Sequence, residues 1–102
     1  MKTPLERTIE RKVVLLAKKR GFFTCKFVSP ASPGVPDRVF IYGGSVVFIE
    51  FKRKGQKPTE RQLAMHAAMR KAGAAVDVFD NAEDAMAALN FLADAVDHAR
   101  PR

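Results

Sequence analysis

Gly34-Val35-Pro36-Asp37-Arg38-Val39-Phe40-Ile41-Tyr42-Gly43-Gly44-Ser45-Val46-Val47-Phe48-Ile49-Glu50-Phe51-Lys52 reads as two β-strands folded back about a Gly-Gly turn. The spacing predicts strands over 37–42 and 45–52. A two-residue loop fixes the register of such a hairpin. Tyr42 then opposes Ser45, and at the far end Asp37 opposes Glu50. Opposed side chains share a face, with Cβ atoms roughly 4.5–5.5 Å apart. Lys52, two residues beyond Glu50, projects from that same face.

Two carboxylates side by side destabilise a sheet. Their neighbours on this face, Val39, Ile41, Val46 and Phe48, are apolar and raise the cost of charge there. A divalent cation resolves the conflict. Hard carboxylate oxygens suit Mg²⁺ or Mn²⁺, and Mg²⁺ often takes only one or two carboxylates with water and phosphate. Lys52 could also satisfy both carboxylates as a structural triad, and spacing alone leaves the two readings equal. Strand 45–52 is apolar nearly throughout, so both its faces are expected to be covered.

Regular elements flank the hairpin. Thr3-Pro4-Leu5-Glu6 carries helix-start chemistry, with Thr3 as cap and Glu6 completing a capping box. Leu5, Ile9, Val13 and Leu16 mark the expected buried stripe, and Gly21 the helix end. Phe22 to Val28 reads as a strand. Three prolines and a glycine over 29–36 make a loop. Arg53 to Pro58 is a basic loop. Thr59 and Gln62 form a second capping box on a helix closed by Gly73. Ala75 to Phe79 is a fourth strand. Asn81 caps a last helix with Ala85, Leu89, Leu92 and Val96 on one stripe, and 99–102 is expected to fray. The fold class is therefore α/β, in the order α-β-β-β-α-β-α, as one domain over 1–102 with its core at about 4–98.

The 102 residues carry a net charge of +7. Residues 1–71 hold 16 Lys/Arg against 5 Asp/Glu, and residues 72–102 hold 2 against 6. A basic field of that size favours a polyanion, nucleic acid being the commonest. Surplus surface lysine is the bland alternative. The basic field tips the carboxylate pair towards metal-assisted phosphodiester chemistry. Cys25 is the only cysteine, which excludes an intrachain disulfide and a cysteine metal cluster. No apolar run approaches the ~20 residues of a membrane span. With no signal-peptide pattern at the start, a cytoplasmic, reducing setting is expected.

Gly34-Val35-Pro36-Asp37 followed by Glu50-Phe51-Lys52 resembles the Pro-Asp…(Asp/Glu)-x-Lys signature of PD-(D/E)XK nucleases. Within that superfamily the chain is most similar to the small, stand-alone VRR-NUC form of phages and bacteria, over about residues 4–93. The resemblance implies a restriction-endonuclease-like α-β-β-β-α-β core with a mixed four-stranded sheet flanked by helices, plus a C-terminal helix. It implies that Asp37, Glu50 and the Phe51 carbonyl ligate Mg²⁺ or Mn²⁺, that Lys52 positions or activates water, and that a first-helix glutamate adds an outer ligand. Glu10 is preferred to Glu6 for that role, because Glu6 already has a capping duty. Pairing of Glu10 with an arginine is the alternative. Gln62 matches the family's glutamine, expected to support the lysine or contact DNA, besides its capping role. Related nucleases often carry tyrosine four residues later, where this chain has His66.

Lys26, Arg38, Arg53, Lys54, Lys57 and Arg61 fall near the expected site and are candidates for phosphate contacts, which orient DNA without reading sequence. His66 and His98 are expected on helix surfaces, and Cys25, Met65, Met69 and Met86 in the core. No Ser/His/Asp set, phosphate-binding glycine loop or small-molecule cofactor motif is visible. The leading expectation is an endonuclease for branched DNA. The resemblance implies this substrate, since stand-alone relatives look like four-way (Holliday) junction-resolving nucleases, and a two-fold homodimer would place two sites across one. The alternatives are a DNA-binding module without catalysis, or a nickase, flap or RNA nuclease.

Overall fold

The computed structural model describes residues 4–100. Thr3 and residues 101–102 lie outside the described residues, and with them the expected Thr3 cap and the end of the tail. The elements are α1 (Pro4–Arg20), β1 (Phe23–Lys26), β2 (Arg38–Tyr42), β3 (Ser45–Phe51), α2 (Glu60–Lys71), β4 (Ala75–Phe79) and α3 (Ala82–Ala99). The four strands form one mixed sheet in chain order, with β3 and β4 parallel and the other neighbours antiparallel. The α/β class and element order read from the sequence are those observed.

The hairpin register is the expected one. Tyr42 pairs with Ser45, and the ladder runs out to Arg38 opposite Ile49. Gly43 and Gly44 have φ of 56° and 88°, the two positive values that a type I′ turn needs. The strands are shorter than expected. Asp37 and Lys52 lie just outside them, but Phe27 N–H donates to the Asp37 carbonyl at 2.8 Å and Lys52 N–H to the Phe79 carbonyl at 2.9 Å. Both residues thus continue the sheet by single bonds. Phe22 and Phe27 flank the four-residue β1 instead of belonging to it.

Phe40, Val47, Ile49 and Phe51 share one face of the sheet, where they pack against Val13 and Ala17 of α1 and Ala85, Leu89 and Ala93 of α3. The acidic last helix is tied to α1 and the hairpin. Arg20 donates to Asp94 at 2.7 Å and Asp97 at 3.2 Å, and the Tyr42 hydroxyl donates to Asp97. The opposite face is covered only in part, contrary to the expectation for β3: Val46 is exposed and Phe48 half-buried. Phe27 packs on Phe48 with ring centroids 4.9 Å apart, so the 29–36 loop begins over this face. Cys25 is exposed rather than in the core, because β1 is an edge strand. Leu5 is 62% exposed, and the buried stripe of α1 is Glu6, Glu10, Val13 and Ala17.

Gly34 fixes how the loop meets α2. Its φ is +96°, and a Cβ there would sit 2.9 Å from the Arg61 carbonyl oxygen. Backbone cannot yield as a flexible side chain can. Gly34→Ala is therefore expected to lose about 1–3 kcal/mol of unfolding free energy. Gly44→Ala, whose Cβ would meet nothing within 4 Å, should lose only the left-handed backbone penalty of about 1–2 kcal/mol. Urea unfolding of both variants checks this, and equal losses would contradict the close approach.

Candidate active site

One residue outward from the Arg38–Ile49 pair stand Asp37 and Glu50. Buried Pro36 has no N–H to lose and leads the chain into Asp37. Asp37 Oδ2 accepts the Phe51 N–H at 2.7 Å, which locks the carboxylate against the end of β3. Glu50 is 1% exposed. Its Oε2 accepts from the Gln62 amide nitrogen at 3.2 Å and lies 3.5 Å from Lys52 Nζ. Lys52 is itself buried. A carboxylate and an ammonium this deep must be held by partners, since desolvating either one alone is costly.

Gln62 uses both ends of its side chain. Its Oε1 accepts from Thr59 N–H at 2.9 Å, completing the capping box, while its NH₂ reaches Glu50. Capping and site support are one geometry, and the residue supported is Glu50 rather than Lys52. One turn further along α2 lies His66. It is fully buried, not on the helix surface as expected, and neither ring nitrogen has a hydrogen-bond partner among the described residues. Leaving such a group unpaired costs about 1–3 kcal/mol. Burial pushes its pKa below the ordinary 6.5, helped by the charges of Arg70 and Lys52 and opposed by Asp37.

Glu10, the expected outer ligand, is engaged by a cation. It is buried on α1, where its Oε2 pairs with Arg38 Nη1 at 3.2 Å, and Arg38 Nε also reaches Thr24 Oγ1 at 3.2 Å. Thus Arg38, expected as an open phosphate contact, is largely buried and anchored. Among the described residues no three His, Cys, Asp or Glu side chains converge as a metal cluster. The oxygen donors at the end of β3 are then two carboxylates and a peptide carbonyl. That set fits Mg²⁺ or Mn²⁺, which fill the remaining positions with water and substrate oxygen.

The other cations fall in two groups. Lys26 and Arg38 line a cleft of about 230 Å³ together with Arg7, Arg11, Val14 and Glu10. Arg7 and Arg11 were not singled out from the sequence, though their four-residue spacing along one helix face carries that signal. Arg53, Lys54 and Lys57 are exposed on the loop after Lys52. That loop is pinned where Gly55 N–H donates to Asp80 at 2.9 Å, a bond that also holds the Asp80 carboxyl below its usual range. Arg61, in the first turn of α2, is exposed beside Pro33.

A hairpin-anchored carboxylate pair with a buried lysine, on an α-β-β-β-α-β order, places the domain in the restriction-endonuclease-like class. The comparisons with known proteins narrow this. A scan of protein-family models finds no match. A solved structure described as "VRR_NUC domain" superposes with a TM-score of 0.76, at 24% identity, covering 90% of this chain and 97% of that one. The protein named "Putative nuclease p44", from Acyrthosiphon pisum secondary endosymbiont phage 1, is 43% identical over 77 residues, which span 74% of this chain and 83% of that protein. The chain belongs to the same nuclease family as that phage protein, and its fold is that of the VRR-NUC domain.

The depressed His66 pKa has a stability consequence. The unfolded chain takes up a proton near the ordinary 6.5, while the folded chain resists it. The stabilising contribution is therefore whole above pH 6.5 and declines as pH falls below it. The lowered carboxyls, Asp80 and Asp97, act only below their ordinary 3.8. Unfolding free energies between pH 7.5 and 5 should fall for wild type and stay nearly level for His66→Phe. Equal slopes would place the acid sensitivity elsewhere.

Proposed function

We propose that this chain is a metal-dependent, structure-selective DNA endonuclease that hydrolyses phosphodiester bonds and resolves four-way junctions as a homodimer. The observation that carries the nuclease reading is the buried Glu50–Lys52 pair at 3.5 Å beside Asp37, which is pinned to Phe51 N–H at 2.7 Å. Asp37, Glu50 and the Phe51 carbonyl would hold Mg²⁺ or Mn²⁺. The ion, when bound, would lower the pKa of water and neutralise phosphate charge. Lys52, oriented by Glu50, offers its ammonium to the water or to a phosphate oxygen. Gln62 keeps Glu50 from turning away. Glu10 serves to fix Arg38, whose guanidinium lines the basic cleft with Lys26, Arg7 and Arg11.

DNA is the polyanion that the basic cleft and the exposed Arg53, Lys54, Lys57 and Arg61 suit. These contacts set affinity and register, not sequence preference. The sequence offers no base-reading module, which favours selectivity for DNA shape. A homodimer is supported by an apolar row across three strands on the site's own face: Phe23, Ile41 and Val46, with Phe23 and Val46 exposed. A second copy would bury that row. No described helix is long and apolar enough to cross a membrane.

The test is cleavage of a labelled four-way junction, matched linear duplex, nicked, flapped and RNA substrates in Mg²⁺, Mn²⁺ and EDTA, with sedimentation on the same sample. Paired symmetric cuts in the junction that require metal, from a dimeric protein, are expected. Cuts confined to flaps, nicks or RNA would keep the chemistry and remove the junction reading. Binding in EDTA with no cleavage of any substrate would replace an enzyme with a binding module.

A further inference from the structure

We infer that His66 is a positioning residue of this site: its buried imidazole, one helical turn beyond Gln62, fixes the Asp37 carboxylate and the Lys52 ammonium relative to each other when a substrate phosphate enters. The inference rests on the nuclease reading above. Gln62 and His66 are four residues apart on α2 and so share a helix face. Gln62 reaches Glu50 directly. His66 is buried completely, feels the charges of Asp37 and Lys52, and has a partner on neither nitrogen.

Core packing alone does not account for this residue. A Phe or Leu would fill the same space without stranding two polar atoms, and unpaired buried polar groups are retained chiefly where function needs them. The chemistry of the ring matches its neighbours. An uncharged imidazole has one N–H and one lone pair. The N–H suits the acceptor Asp37, and the lone pair suits the donor Lys52. Burial and the nearby Arg70 favour the uncharged form. In the free protein Asp37 is held by Phe51 N–H and Lys52 by Glu50. An arriving phosphate competes with Glu50 for Lys52, and the imidazole keeps that ammonium aligned with Asp37 as the exchange occurs.

His66→Phe, His66→Leu and His66→Gln test it. Each is measured for melting temperature, and for kcat and KM on the cleaved DNA in Mg²⁺. The imidazole nitrogens of His66 and the exposed His98 are followed by NMR in wild type as Mg²⁺ and then a phosphorothioate duplex are added. The apolar variants should melt at or above wild type. Their kcat should fall about 10–100-fold, the usual loss for groups that orient a metal site from behind. KM should change little, and His66→Gln should recover part of kcat. The His66 ring signals should move while those of His98 stay. Unchanged kcat in both apolar variants, or an indifferent His66 ring, would overturn the inference. A wild type that cleaves nothing would instead remove the nuclease reading, and the ring signals alone would then decide the role of His66.

Discussion

The whole site depends on one hydrogen bond and the turn that makes it possible. Asp37 Oδ2 meets Phe51 N–H at 2.7 Å only because the Gly43–Gly44 turn sets the hairpin register. A slip of one residue would send Glu50 and Lys52 to the packed face among Phe40, Ile49 and Phe51. There neither charge could be satisfied. The register is therefore enforced twice, by the turn that admits positive φ at two glycines and by the cost of burying these charges in the core.

The two faces of the sheet divide the work. One is a conventional core, with α1 and α3 closing over Phe40, Val47, Ile49 and Phe51. The Arg20–Asp94–Asp97–Tyr42 network ties the ends of that layer together. The other face is covered by α2 at one end and left open towards Val46 and Phe23. A site needs such a half-covered face, dry enough to strengthen the Glu50–Lys52 interaction and still reachable by substrate. Both groups are buried without being sealed beneath the main core.

The sequence carried the hairpin, its register and the Gln62 cap in full, because turn and capping chemistry are local. Other features depended on tertiary neighbours. The apolar periodicity of 4–20 pointed to Leu5, but the start of α1 turns Glu6 and Glu10 inward, and Glu10 there answers Arg38. Cys25 is exposed because β1 forms a sheet edge, which strand propensity does not reveal. His66 was legible only as a residue one turn beyond Gln62. That its helix face is the buried one follows from how α2 lies against β4. The sequence offered pairing of Glu10 with an arginine but not that the arginine is Arg38, so Arg38 read as one more exposed cation.

The most direct test of the account is Asp37→Asn, assayed against wild type on labelled DNA in Mg²⁺, with melting temperatures taken on both proteins. Asparagine keeps a carbonyl oxygen able to accept from Phe51 N–H while removing the charge. A folded protein that still binds DNA and no longer cuts it is expected. Cleavage by Asp37→Asn at the wild-type rate would contradict it, because the hairpin would then be holding Asp37 in place for the fold alone.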